Sequence, residues 1–290
     1  MLHSRALLVL GIVVAAAVPV ATLPRLPEVS PWPVLAGLVP WIVGKYVLCP
    51  LRWRVLTTGA GAPQACGWYL RANAESEVFG LLTPGHVGAD VWRTKRLTGT
   101  GLCAGDALLS VGMDRLVGAV GLAAFAVFGA SELPLRLLMS AAGLGLLVLA
   151  AAVVVRRTRP GLLPRGPLPP PRALVLGLLL AAGYQLTIAG LLLGTIAATG
   201  NTLSPLEILA AFGASQVAAA VPGPNGASPR DGALVVALVA LGVPLVAAAA
   251  AVTLRATLAW LPALTLGGLS LWLLRRQAAG PLSKVSVAAS

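Results

Sequence analysis

The chain has 290 residues, of which 58% are hydrophobic and only 10% charged, with a mean hydropathy of +0.89. No water-soluble domain hides that much apolar surface in one core, so the composition excludes a soluble globular protein and points to a polytopic membrane protein. Lys and Arg total 21 against 9 Asp and Glu, a net charge of +12. Most of the excess sits in short loops between apolar runs, where it sets orientation and attracts anionic head groups, and no aromatic-rich basic surface accompanies it to suggest nucleic acid.

Residues 5–23 form an apolar run behind a short basic start. A cleaved signal peptide competes with a first span here, and the internal symmetry favours the span, as counterpart of residues 135–155. A second span is expected from Trp32 to Cys49, with Lys45 near its end and Arg52 and Arg54 beyond it, cations that place that end in the cytoplasm. Residues 64–83 are apolar only in part, because Arg71, Asn73, Glu75 and Glu77 interrupt them at a density too costly against lipid. After Pro84-Gly85 the chain returns through the polar stretch Asp90 to Arg96. Residues 64–100 are therefore expected to form a re-entrant hairpin that enters and leaves on the cytoplasmic side under a cover of neighbouring protein.

Cys103 to Phe128 reads as a span holding Asp106 and the Asp114-Arg115 pair, with Arg115 near mid-membrane. Past Glu132, residues 135–155 lead back to the most basic loop, where Arg156, Arg157, Arg159, Arg165 and Arg172 flank a proline-rich connector of extended, cytoplasmic character. The span from Ala173 to about Ala198 carries Tyr184 and Gln185 midway. From Leu203 the chain re-enters to Val221, turns at Pro222-Gly223-Pro224-Asn225-Gly226 and returns through Gly232 to Leu241. Pro244 to Leu274 is the last span; it carries Arg255 and ends at Arg275-Arg276.

The same succession of parts thus occurs twice, each centred on a Pro-Gly-x-x-Gly turn: Pro84, Gly85 and Gly88 in the first, Pro222, Gly223 and Gly226 in the second. The expected fold is all-α, a polytopic helical bundle of about six full spans plus two re-entrant or broken helical hairpins in an inverted pseudo-repeat. It is a single transmembrane domain over residues 1–290 with halves 1–133 and 134–280, multi-pass in the cell membrane, with both termini cytoplasmic. If both hairpins instead span fully, one basic cluster must move outside.

Arg115 and Arg255 are the foremost chemical candidates, since a lone Arg inside an apolar helix costs about 2.5–3.5 kcal/mol on insertion scales and needs a partner or a function. Either they hold a lipid phosphate by forked hydrogen bonds, or Arg115 pairs with Asp90 or Asp106 and Arg255 with Asp231 to lock hairpins to spans. Asp90 and Asp231, each just after a turn, suit helix N-caps or a site where Arg93 and Arg230 act as counter-charges to an anion. Glu77 and Glu75, two apart, diverge on a helix, which argues against a paired-carboxylate catalytic site. They line a polar groove or neutralise Arg71. His86 has no second ligand at metal spacing, and the cysteines, Cys49, Cys66 and Cys103, suggest neither a disulfide nor a zinc site. Asn73, Asn225, Tyr184 and Gln185 are suited to hydrogen bonding with a head group or between helices. The expected substrate-binding set is Glu77, Asp90, Arg93, Arg115, Arg230, Asp231 and Arg255, with no metal, no cofactor and no catalytic group.

The run Phe79-Gly-Leu-Leu-Thr-Pro84-Gly85-His-Val-Gly88-Ala-Asp90-Val-Trp-Arg93, followed by Asp114-Arg115-Leu-Val-Gly118, resembles the first signature of the lysylphosphatidylglycerol synthase/flippase transmembrane-domain family. The second signature is similar to Val221-Pro222-Gly223-Pro224-Asn-Gly226-Ala-Ser-Pro-Arg230-Asp231, continuing through Arg255 to Gly267-Gly268. Asp231 stands where that family usually has Glu, and Ala89 where it more often has Gly. The resemblance implies an integral membrane protein that moves an anionic or aminoacylated phospholipid, or a lipid-linked intermediate, between leaflets. It does not imply lipid synthesis, because no soluble aminoacyltransferase domain is recognised. An integral-membrane enzyme acting on a lipid phosphate through Glu77, His86 or Asp90, and a non-catalytic scaffold of lipid or cell-envelope machinery, are the alternatives.

Overall fold

The computed structural model describes residues 30–57, 64–81, 83, 86–128, 157, 169–216, 218 and 228–278. The ordered elements among them are all helical, with no strand, and form eight helices: α1 Pro31–Thr57, α2 Cys66–Leu81, α3 Val87–Thr98, α4 Ala104–Phe128, α5 Pro171–Ala197, α6 Pro205–Ser215, α7 Pro229–Ala240 and α8 Leu245–Arg276. Three of them, α1, α5 and α8, are long and apolar enough to cross a membrane. Of the other expected spans, Cys103–Phe128 is the 25-residue α4, and residues 5–23 and 135–155 lie outside the described residues, as do Pro84, Gly85, Pro222, Gly223 and Gly226.

The long helices keep an apolar outer face. Trp32, Leu35, Val39, Val43 and Val47 follow one another along α1 at helical spacing and are all exposed, as are Val175, Leu179 and Leu186 on α5. Such a stripe, covered by no other element among the described residues, suits contact with hydrocarbon. Inside, α1 and α5 cross at glycines: Gly37 lies against the Gly190 carbonyl, and Gly194 against the Pro33 carbonyl, so that an added methyl on either would overlap backbone. Small residues at a crossing let two backbones approach and gain dispersion contacts where no hydrophobic effect drives association.

Two helical pairs, α2 with α3 and α6 with α7, occupy the places of the expected hairpins. The starts of α6 and α7 are written in the same way. Ser204 and Ser228 cap them, each followed by proline at the first helical position, and Glu207 and Asp231 close capping boxes by accepting from the cap residue's own amide. The α2–α3 turn is held differently. Thr83 Oγ1 accepts from the Gly88 amide at 2.8 Å, and His86 adopts a left-handed conformation, φ 60°, at the start of α3.

Each pair packs on the closing helix of the other half: α2 against the π-helical turn Ala263–Gly267 of α8, and α6 against α4. Gly267 meets the Ala74 carbonyl with no room for a side chain. A second π turn, Gly44–Leu48 in α1, also borders α2, where Asn73 Nδ2 donates to the Lys45 carbonyl at 3.1 Å. Both π turns lie on the C-terminal side of a proline, Pro40 and Pro262. Thus α2, the partly polar helix, is enclosed by protein, and residues 72–78 are buried without exception.

One boundary differs from expectation. The sequence reading ends the second span at Cys49 with Arg52 outside it, yet the helix continues to Thr57 and Arg52 is buried within it. Asp114 on α4 supplies the counter-charge, so the cation is buried among protein side chains.

Candidate functional site

The charged residues within the bundle fall into two groups. The first is a knot centred on Asp114, 1% exposed, whose two oxygens accept from Arg52 Nε at 2.7 Å and Arg93 Nη1 at 3.0 Å. Arg93 directs its other donors to Ser76 Oγ at 3.2 Å and to the Asn73 side-chain oxygen, and its guanidinium lies 5.1 Å from the Trp53 ring centroid. Trp53 Nε1 in turn donates to Ser110 Oγ at 3.0 Å. The knot therefore ties α1, α2, α3 and α4 together. Glu75 serves a parallel purpose: it accepts from Trp92 Nε1 at 3.1 Å and from Ser270 Oγ at 2.9 Å, and Arg96 lies 3.1 Å away. Its ion partner is thus Arg96 on α3, whereas helical spacing points to Arg71, which is exposed.

The second group faces a cavity of about 210 Å³. Lys45, Arg115, Arg230 and Arg255 line it together with one carboxylate, Glu77, and with Tyr184, Gln185 and His86. Lys45 and Tyr46 stand near the middle of α1, Arg115 near the middle of α4, and Tyr184 and Gln185 near the middle of α5. Both hairpins reach the same space, Leu81 and His86 from the first and Gln216 and Arg230 from the second. Its volume is far above the roughly 15 Å³ that a single water needs.

Two ion pairs stand at the walls in corresponding places. Arg115 Nη2 lies 2.9 Å from Asp90 Oδ1, and Arg255 Nη2 lies 2.8 Å from Asp231 Oδ1. The partners are 25 and 24 positions apart, and in both the acid is in the first turn of a hairpin's second helix and the arginine on the long helix that follows. Arg230 Nη2 is 4.0 Å from the same Asp231 oxygen, and Lys45 Nζ is 3.0 Å from Glu77 Oε1. The Gln185 side-chain oxygen is buried with no hydrogen-bond partner among the described residues.

Of the seven residues singled out from the sequence, Glu77, Arg115, Arg230 and Arg255 line the cavity, Asp90 and Asp231 hold two of its arginines, and Arg93 sits in the knot. Lys45 is not among the seven, because its position late in an apolar run reads as that of a membrane-surface cation. The signal available for it is Glu77, a carboxylate in a helix too polar for lipid that has no partner assigned by spacing. Among the described residues no cluster of metal-ligating side chains occurs.

Long helices with lipid-compatible faces, two helical hairpins and a cation-lined cavity between them define an integral membrane protein. The chain belongs to the family of the lysylphosphatidylglycerol synthase transmembrane region, whose sequence profile matches residues 5–267. Membership gives the protein a lipid-related role in the membrane and makes membrane lipids its partners. No curated protein and no solved structure matches the chain.

Proposed function

We propose that the protein is a flippase-like transporter that moves an anionic or aminoacylated phospholipid, or a lipid-linked intermediate, between leaflets. The head group crosses through the cavity while the tails stay in the bilayer. The carrying observation is that both hairpins and four cations converge on one cavity at the depth of the helix middles, where an unaccompanied phosphate is otherwise very unfavourable. Arg115 and Arg255 rest on Asp90 and Asp231. A phosphate entering between them takes over forked, charge-assisted hydrogen bonds, so the arginines exchange one anion for another without ever standing unpaired. The buried Gln185 oxygen suits a hydroxyl or amine of the head group. We assign Arg93 to the scaffold that holds α3 in place.

The reciprocal packing of each hairpin on the other half's closing helix, and the repeated Asp–Arg pair, support an inverted repeat in which the first hairpin enters from the cytoplasm and the second from outside. In vesicles carrying a fluorescent phosphatidylglycerol, Arg115→Ala and Arg255→Ala should each slow transfer about tenfold or more, the loss expected for a charge-assisted hydrogen bond of about 1.5–3 kcal/mol. Transfer by both variants at the unmutated rate would refute the assignment. A chemically altered lipid in the product would favour the enzyme alternative.

A further inference from the structure

A second concavity, of about 580 Å³, runs between α3 and α4 and opens on the outer face of the bundle. Its exposed surface is largely apolar, with Val87, Val91 and Leu108 59%, 62% and 60% exposed along it, and Lys95 joins Asp90 and Arg115 as a charged neighbour. The hydroxyl protons along it are used within the helix, since Thr94 Oγ1 donates to the Asp90 carbonyl at 2.8 Å and Thr98 Oγ1 to the Lys95 carbonyl at 3.0 Å. Gly112 borders it, and a Cβ built there meets nothing within 4 Å. One end is formed by Arg115 and Asp90, and Arg115 also lines the central cavity, so the ion pair is the partition between the two spaces. Arg115 is half exposed there, its side chain at 48%.

We propose that this furrow seats one acyl chain of the lipid whose phosphate is held at Arg115, an inference that rests on the transport reading above. The occupant follows from length, polarity and continuity. From Asp90, at the ion pair, to Thr98 the furrow follows a helix rising roughly 1.5 Å per residue, about 12 Å in all, most of the roughly 15 Å depth of one leaflet's hydrocarbon. A chain laid along it places its ester end beside the Arg115–Asp90 pair, and the head group then enters the cavity when that pair parts. A single amphiphile thus bridges an apolar furrow and a cationic cavity that share one arginine.

The test uses the purified full-length chain in phosphatidylcholine vesicles containing a phosphatidylglycerol with a photoreactive diazirine near the end of one acyl chain. The expected result is cross-linking concentrated at the end of the furrow away from the ion pair, between Thr94 and Leu108. Gly112→Leu, which adds a side chain to the furrow where a Cβ meets nothing, should reduce it about tenfold, the factor equivalent to the cost of overpacking a filled site, with the thermal unfolding temperature unchanged. Leu108→Trp, at an exposed position, serves as an independent block. Labelling no denser here than at the lipid-facing Leu35 and Leu179, or labelling unaffected by both substitutions, overturns the furrow as a chain seat. Lipid transfer is read in the same vesicles. Transfer with even labelling removes the seat and keeps the transport reading, whereas concentrated labelling without transfer keeps the seat and removes the transport reading.

Discussion

Two kinds of paired arginine occur within the bundle, and they differ in how completely their donors are used. Arg52 and Arg93 are held by Asp114, Ser76 and Asn73, deep among aromatic rings, whereas Arg115 and Arg255 each hold one carboxylate at the wall of an open space. Removing one member of a buried ion pair leaves an uncompensated charge and costs about 3–5 kcal/mol. Asp114→Asn should therefore lower the thermal unfolding midpoint in detergent sharply and deplete the folded protein. Arg255→Ala should retain the fold while losing transfer, because the buried Asp231 keeps the Ser228 amide and hydroxyl as donors and Arg230 as a cation 4.0 Å away. A variant Asp114→Asn that melts like the unmutated protein would remove the knot from its structural role. Arg115 and Arg255 stand out in the sequence because they interrupt apolar helices. Arg52 and Lys45 do not, since each lies where a positive-inside reading expects a loop cation, and their partners Asp114 and Glu77 are far away in sequence.

At the level of elements, the first hairpin's turn carries the most constrained backbone. Gly80 on α2 is covered by the His86 ring, and a methyl there would overlap Nδ1; His86 itself is the sole non-glycine residue with positive φ among the described residues. The left-handed conformation costs an ordinary residue about 1–2 kcal/mol, and it turns the chain so that α3 packs back on α2. Gly80→Ala should push the imidazole out of its seat and destabilise the protein by about 1–3 kcal/mol, measured by thermal melting, with transfer reduced because His86 borders the cavity. Unchanged stability and transfer in Gly80→Ala would show that the tip yields freely. The hairpins were legible in the sequence from Pro-Gly turns between incompletely apolar segments. The π turns were not, because widening of the ladder after Pro40 and Pro262 depends on α2 packing against both turns, a tertiary contact that no local pattern encodes.

Across the whole molecule, the hairpins exchange contacts: α2 lies on α8, α6 on α4, and the long helices α1 and α5 cross at glycines. That reciprocity brings both hairpins to one cavity and is the physical basis of the proposed site. The recurrence of turn and arginine in the same order was legible in the sequence. The meeting of two broken elements at one site was likewise an expectation of the repeat, whereas the place of Lys45 at the cavity and the burial of Arg52 were not legible, since the sequence reading treats both as charges at the end of a span. The central claim is that the hairpins are inserted from opposite faces of the bilayer. Its most direct test is labelling of intact, right-side-out vesicles with a membrane-impermeant maleimide, comparing the exposed native Cys103 at the base of the first hairpin with Thr202→Cys at the base of the second, after Cys49→Ser and Cys66→Ser. The account predicts that Cys103 is labelled only after the vesicles are opened and that the thiol at position 202 reacts from outside without opening. Labelling of both from the same side would contradict it.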